Sequence, residues 1–191
     1  MKVVAFNGSA RKGGNTSNLI NIVLDRIKEE GGETELIELA GMNLSGCKAC
    51  YQCFEKKDKR CAVENDIIND AIGKMLDADG IILGSPTYFA DLSANIKALI
   101  ERCGMVSRAN GDIYKRKVGA SVVAVRRAGA SHVFSSLNYF FLIGQMIIAG
   151  SSYWNIGRGL KPGEVMDDEE GVKTMQDLGT NMAWLIKKIK Q

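Results

Sequence analysis

The sequence predicts an open, doubly wound α/β domain, in which a parallel sheet of five strands carries helices on both faces. Short apolar runs alternate along the chain with stretches whose apolar residues recur at helical spacing. The apolar runs are continuous, as is typical of parallel strands buried on both faces. The chain has 191 residues, the length of one domain, so residues 1–191 are predicted to form a single domain.

The predicted elements follow in chain order, with one interruption. Strands are predicted at residues 3–6, 36–39, 81–83, 118–125 and 151–156. Helices are predicted at residues 66–76 and 133–146, and on the apolar stripes that begin at Leu19, Leu92 and Met175. Residues 40–64 follow the second strand and hold four of the five cysteines, and we interpret this segment as an insert. The fifth thiol, Cys103, lies on the apolar stripe of its helix and is expected in the core.

Charge and composition exclude several classes of protein. There are 25 Lys and Arg residues against 22 Asp and Glu, and a net charge of +3 is too small to indicate nucleic-acid binding. No apolar stretch reaches the ~18 residues of a membrane span, and the first apolar run is too short for a signal peptide. We therefore expect a cytoplasmic protein that binds neither nucleic acid nor membrane. The single histidine, His132, excludes metal sites that need two imidazoles from one chain.

The loop after the first strand has the composition of a phosphate-binding site. It reads Gly8-Ser9-Ala10-Arg11-Lys12-Gly13-Gly14-Asn15-Thr16-Ser17 and leads into a helix. Glycines let the backbone approach a ligand, and hydroxyls and free N–H groups at a helix start bind oxyanions. Arg11 adds a charge that grips phosphate. One of Asn15, Thr16 and Ser17 is expected to be the N-cap, which leaves the others for a ligand.

The pattern of this loop narrows the choice of phosphate ligand. The dinucleotide motif fails at Ala10, and the P-loop motif fails because Gly14 stands where the lysine is required. A mononucleotide such as FMN remains. After the third strand, Pro86 stiffens the loop, and Tyr88 and Phe89 offer flat faces to a flavin ring, although one of the two is expected in the core. After the fourth strand, Arg126 and Arg127 are placed to face a flavin edge, a nicotinamide phosphate or a partner.

The cysteines of the insert have the spacing of a cluster site. Two residues separate Cys47 from Cys50 and Cys50 from Cys53, and seven residues separate Cys53 from Cys61. The compact triple matches the run of bacterial ferredoxins, with Cys61 completing one [4Fe–4S] cluster. Zinc sites usually separate two pairs by a longer spacer, and a redox pair leaves two thiols unexplained, but both readings stay open. Five nearby cations would suit an acidic electron-transfer partner such as a ferredoxin: Lys48, Lys56, Lys57, Lys59 and Arg60.

These motifs carry a resemblance over nearly the whole chain. Gly8-Ser9-x-Arg11-x-x-x-Asn15-Thr16 and Gly84-Ser85-Pro86-Thr87-Tyr88 resemble the NADPH-dependent FMN reductase branch of the flavodoxin-like superfamily, and the cysteine motif resembles its iron–sulfur flavoproteins. The resemblance implies a flavodoxin-like fold, FMN and one [4Fe–4S] cluster, in a homodimer or homotetramer. It assigns the FMN phosphate to Ser9, Arg11, Asn15, Thr16 and Ser17, the FMN ring to Pro86, Thr87, Tyr88 and Phe89, and the cluster to Cys47, Cys50, Cys53 and Cys61.

The leading hypothesis is an oxidoreductase that couples a one-electron donor, such as ferredoxin, to a two-electron acceptor. Its chemistry belongs to the cofactors, so no side chain is nominated as acid or base. The first alternative is a cluster-free NAD(P)H-dependent FMN or quinone reductase. The second alternative is a zinc-stabilised binding protein without catalytic activity.

Overall fold

The apolar runs of the chain form one parallel sheet in the computed structural model, which describes residues 1–191. Five strands lie in the order β2-β1-β3-β4-β5, and the short β6 also pairs with β4. This is the flavodoxin-like order, so the predicted fold class is confirmed. The strands are β1 (Lys2–Asn7), β2 (Glu33–Glu38), β3 (Gly80–Pro86), β4 (Val118–Val125), β5 (Ile147–Ile148) and β6 (Ile156–Arg158).

Helices cover both faces of the sheet, as a doubly wound fold requires. One core lies between the sheet and the helices α1 and α6, and it contains Leu19, Val23 and Met182. The other core lies under α3, α4 and α5, and it contains Cys103, whose expected burial is thereby confirmed. The helices are α1 (Asn15–Glu29), α2 (Gln52–Lys56), α3 (Ile68–Asp77), α4 (Ala94–Ala109), α5 (Ala130–Ile143) and α6 (Glu169–Ile189). None of them combines the length and apolar character that a membrane crossing needs.

The predicted bounds of the fifth strand, 151–156, are wrong. The edge beside β4 is built instead from two short strands, β5 and β6, which pair with opposite ends of β4. Only residues 120–122 of β4 lie between these pairings, whereas residues 149–155 must span the same distance, so this segment cannot continue the strand ladder. Asn155 closes the gap, because its side-chain amide donates to the carbonyl of Ser121 over 2.9 Å in place of a backbone ladder.

The loops after β1 and β3 touch at the carboxyl edge of the sheet. The N–H of Gly8 donates to the carbonyl of Gly84 over 2.8 Å, and the Ser93 hydroxyl donates to the carbonyl of Gly8 over 2.6 Å. A Cβ atom at Gly8 would lie 2.6 Å from Cβ of Ile96, so only glycine permits this approach. The parallel sheet thus brings the two predicted cofactor loops together at one edge.

Candidate functional site

A cleft of about 180 Å³ opens at the carboxyl edge of the sheet. We call it the carboxyl-edge cleft. The loops after β1, β3, β4 and β6 form its walls, as expected for a ligand site in this fold. Its lining residues are Ser9, Arg11, Gly14, Asn15, Thr16, Pro86, Thr87, Tyr88, Ala124, Val125, Arg126, Gly159, Leu160 and Pro162. Eight of the ten residues predicted to bind the cofactor are among them, and Ser17 and Phe89 are not.

The start of α1 gives the cleft an anion-binding end. Gly14 is the N-cap of α1, in an extended conformation and without a side-chain cap, so the expectation that Asn15, Thr16 or Ser17 caps the helix is wrong. The first N–H groups of a helix have no partner within it, and they attract anions. Arg11 and Arg126 line the same cleft and add two positive charges. A phosphate monoester therefore suits this end of the cleft.

Glu38, at the end of β2, fixes the shape of the phosphate loop. Its carboxylate accepts hydrogen bonds from Nδ2 of Asn7 (2.8 Å), from Oγ of Ser17 (2.8 Å) and from the N–H of Gly13 (3.4 Å). The Ser17 hydroxyl, which was predicted to hold phosphate, is therefore directed to Glu38. Helical spacing does not reveal such a bond to a distant strand.

Asn15 ties the phosphate loop to a wall that sequence reasoning missed. Its Nδ2 donates to the carbonyl of Lys161 over 2.9 Å, and its Oδ1 accepts from the N–H of Gly163 over 2.8 Å. Both ends of the amide are thus occupied, and Asn15 positions the wall formed by residues 159–162. The glycine-rich run at residues 157–163, which begins within the last strand, was the signal for a loop at this edge.

The loop after β3 forms the side of the cleft assigned to the flavin ring. The backbones of Tyr88 and Asp91 exchange two hydrogen bonds around a two-residue turn, Phe89 and Ala90, whose φ angles are 50° and 62°. This turn directs Phe89 fully into solvent and leaves Tyr88 40% exposed. The expectation that one aromatic ring packs into the core is therefore wrong.

Thr87 carries an unpaired polar atom at the cleft. Its Oγ1 is buried and has no hydrogen-bond partner within the chain, although the residue lines the cleft. A buried hydroxyl without a partner costs about 1–3 kcal/mol, so such groups are normally paired. A polar ligand that reaches this hydroxyl would relieve the cost, so Thr87 is the candidate side-chain donor of the cleft to a polar ring system such as the flavin.

We predict that Thr87→Val weakens FMN binding but does not destabilise the FMN-free protein. Valine keeps the shape of the side chain and removes the unpaired hydroxyl, so its thermal unfolding midpoint without FMN should be equal or higher. The loss of one hydrogen bond should raise the Kd for FMN by about 3–10-fold. Fluorescence titration and thermal melts with and without FMN measure both effects. Equal FMN affinity in the two proteins would exclude a role for this hydroxyl in binding.

The four cysteines of the insert line a second, smaller cavity. Cys47, Cys50, Cys53 and Cys61 are free thiols, and all four line the space that we call the cysteine cavity. Positive φ angles at Ala49 (50°) and Tyr51 (58°) turn the backbone so that the close-spaced thiols face the same space. Burial, and then the charges of the three other cysteines, raise the pKa of the Cys53 thiol. The sequence prediction of these four residues therefore corresponds to one location.

The cysteine cavity does not contain a site for a single metal ion, and side chains from two helices hold its backbone. No three His, Cys, Asp or Glu side chains of the structure converge closely enough to hold one metal ion. The cavity also contacts α4, whose Glu101 carboxylate accepts from the N–H of Cys47 over 3.1 Å. The N–H of Cys61 donates to Oδ1 of Asn69 over 2.7 Å. Side chains of α3 and α4 thus hold the backbone at the first and last cysteines.

Known proteins resemble this chain over most or all of its length. The family model described as NADPH-dependent FMN reductase matches residues 1–161. An iron–sulfur flavoprotein of Methanocaldococcus jannaschii is 38% identical, over 100% of both chains. Another, of Methanosarcina thermophila, is 31% identical over 100% of this chain and 98% of its own.

Solved structures resemble the chain in fold. RosB, crystallised with bound 8-demethyl-8-formylriboflavin-5'-phosphate, superposes with a TM-score of 0.79 at 19% identity, over 100% of this chain and 80% of its own. A flavodoxin, WrbA-like protein of Agrobacterium tumefaciens superposes with a TM-score of 0.67 at 14% identity, over 98% of this chain and 97% of its own. At these identities the superpositions establish the flavodoxin-like fold alone.

Proposed function

Since the chain belongs to the NADPH-dependent FMN reductase family and, within it, to the iron–sulfur flavoproteins, we propose that it transfers electrons between FMN and a [4Fe–4S] cluster. That it is an FMN-binding oxidoreductase follows from the family. The [4Fe–4S] cluster goes beyond what the family establishes, and it is the part of the function that we propose. The observation that carries it is that Cys47, Cys50, Cys53 and Cys61 all line one cavity, in the same chain as the carboxyl-edge cleft.

The residues of the carboxyl-edge cleft fit FMN. A phosphate dianion would accept from the first N–H groups of α1, from Thr16 and from Arg11, while Ser9 and Glu38 keep the loop in shape. The ring would lie against Pro86, Thr87 and Tyr88, and Arg126, which lines the same cleft, would offer it a positive charge. We assign no side chain as acid or base, because the chain's role here is to bind, orient and supply charge.

The residues of the cysteine cavity fit a cubane cluster. Four thiolates of a [4Fe–4S] cluster bind four different iron atoms, so they surround a volume, whereas the ligands of one zinc ion converge on a point. Four cysteines line one cavity, and they supply the number and the type of ligands that such a cluster requires. When bound, the cluster supplies one-electron steps, and FMN supplies steps of one or two electrons.

An acidic electron-transfer protein such as a ferredoxin is the proposed partner. The cations that flank the cysteine cavity are all exposed: Lys48, Lys56, Lys57, Lys59 and Arg60. Cys50 is itself exposed, so a docked partner would approach the cluster directly. Opposite charges steer such encounters and make their rates fall as ionic strength rises.

A second copy of the chain is the other proposed partner. An apolar groove of about 1030 Å³ runs between α4 and α5 and is lined by Cys47 and Tyr139 among others. Tyr139 and Ile143 of this lining, and Leu142 next to them in the sequence of α5, are each about 60% exposed. Apolar patches of this kind mark interfaces, and a homodimer or homotetramer would cover this one. Light scattering should therefore give a mass of two or four chains.

We predict that the choice of electron donor depends on the cluster. Reduced ferredoxin should bleach the flavin of the cluster-loaded protein and should be at least about tenfold slower with cluster-free, FMN-loaded protein. Anaerobic stopped-flow absorbance measures both rates. Rapid bleaching by NADPH at one rate in both preparations, with no reaction from ferredoxin, would favour the cluster-free FMN or quinone reductase instead.

A further inference from the structure

Arg102, on α4, is a fully buried arginine beside the cysteine cavity. Its side chain has 0% exposure, and the cavity lining includes it together with the four cysteines. An arginine is always charged, and burying a charge is costly unless every donor is paired. Arg102 therefore needs partners, and their identity indicates what the residue does.

Each nitrogen of the Arg102 guanidinium has an acceptor in the segment that ends the insert. Nε donates to Sγ of Cys61 over 3.2 Å, and one terminal nitrogen donates to the carbonyl of Val63 over 2.8 Å. The other terminal nitrogen is bonded to the carboxylate of Asp66, which is 8% exposed. The ion pair with Asp66 compensates the buried charge, and the bond from Nε acts on a sulfur.

Cys61 is the cysteine that most needs to be positioned. Seven residues separate it from Cys53, and residues 54–60 between them are exposed. Asn69 holds its backbone from both sides, since Oδ1 accepts from the N–H of Cys61 over 2.7 Å and Nδ2 donates to its carbonyl over 3.0 Å. Only Arg102 donates to its sulfur.

We propose that Arg102 is a positioning residue of the cluster site, which holds the Cys61 sulfur and raises the reduction potential of the cluster bound there. This inference rests on the proposed function. A hydrogen bond to a ligating sulfur withdraws charge from it, and so stabilises the reduced cluster, which carries one more negative charge. Because the donor is buried and charged, the effect is larger than that of a solvated donor.

The test replaces the buried ion pair by a neutral pair of similar shape. Arg102→Met/Asp66→Asn removes the donor to Cys61 while the net charge stays constant, so no unpaired carboxylate remains buried. Arg108→Met/Asp112→Asn is the matched control, because it removes an ion pair whose half-exposed arginine also lies on α4. Arg102→Lys is a third variant that retains the charge without the three-way donor geometry.

Each protein is loaded anaerobically with iron, sulfide and FMN. The readouts are the iron and FMN contents per chain and the midpoint potential of the cluster, which is followed by electron paramagnetic resonance.

The neutral double variant should disfavour cluster reduction by at least about tenfold, which lowers a one-electron potential by about 59 mV. The control should stay within about threefold of the parent. If the double variant loses the cluster, the same lowering must appear in Arg102→Lys. A bound cluster with an unchanged potential in both Arg102 variants would overturn the proposal while leaving the proposed function intact. A parent protein that binds FMN but no iron would instead overturn the proposed function, and this inference with it.

Discussion

Cys50→Ala is expected to abolish the absorbance of the cluster and to leave one FMN bound per chain. In the proposed site each thiolate binds one of the four iron atoms, and the variant leaves one iron atom without its ligand. Cys50 is exposed, so its replacement leaves no cavity in the core and should change the free energy of unfolding of the iron-free protein by less than about 0.5 kcal/mol. Iron analysis and the visible spectrum after anaerobic loading measure the loss, and flavin released on denaturation gives the FMN count.

Cys103→Ala is the control for the loss of a thiol. Cys103 is fully buried in the core, and burial raises its pKa to about 12, so it remains a neutral thiol. This variant should be less stable than the parent but should bind the full complement of iron. An unchanged iron content in Cys50→Ala, or a loss of iron in Cys103→Ala, would contradict the assignment of ligands.

Arg11→Ala is expected to raise the Kd for FMN by about 10–100-fold. A hydrogen bond to a charged group contributes about 1.5–3 kcal/mol, and each 1.4 kcal/mol is a factor of ten in affinity. Arg11 lines the carboxyl-edge cleft beside the start of α1, where the phosphate is expected. Titration of FMN into the FMN-free protein, followed by flavin fluorescence, measures the change.

The neighbouring cation, Lys12, supplies a matched control. It is exposed and does not line the cleft, so Lys12→Ala removes an equal charge one residue away. Its effect on the Kd should stay below about threefold, and it should shrink further in high salt. Equal losses in the two variants would mean that the loop attracts FMN only through its general charge.

Much of the fold was accessible from the sequence because its signals are local. A continuous apolar run such as residues 118–125, which form β4, is shielded from water only when both faces of the strand are buried. The loop at residues 8–17 can likewise be recognised from the sequence, because its glycines, hydroxyls and cations follow a strand directly. The spacing of Cys47, Cys50 and Cys53 is also local, and the structure brings them to one cavity with Cys61.

The features that sequence reasoning missed depend on residues far apart in the chain. The edge beside β4 is divided into two short strands, and the bond from Asn155 to Ser121 that closes the gap between them is a contact across 34 positions that periodicity cannot reveal. The Ser17 hydroxyl likewise donates to Glu38, which lies 21 positions further along the chain, and helical spacing does not reveal this contact. Arg102 lies between apolar positions of the α4 stripe, where a charged residue is normally solvated, and only the meeting of α4 with Cys61 and Asp66 explains its burial.

The central claim is that this chain pairs one FMN with one [4Fe–4S] cluster. An anaerobic visible spectrum of the protein after loading with iron, sulfide and FMN tests it most directly, together with counts of iron, sulfide and flavin per chain. We predict about four iron atoms, about four sulfides and one FMN per chain, with broad cluster absorbance beneath the flavin bands. One FMN with no iron, or one zinc ion that iron does not displace, would contradict it.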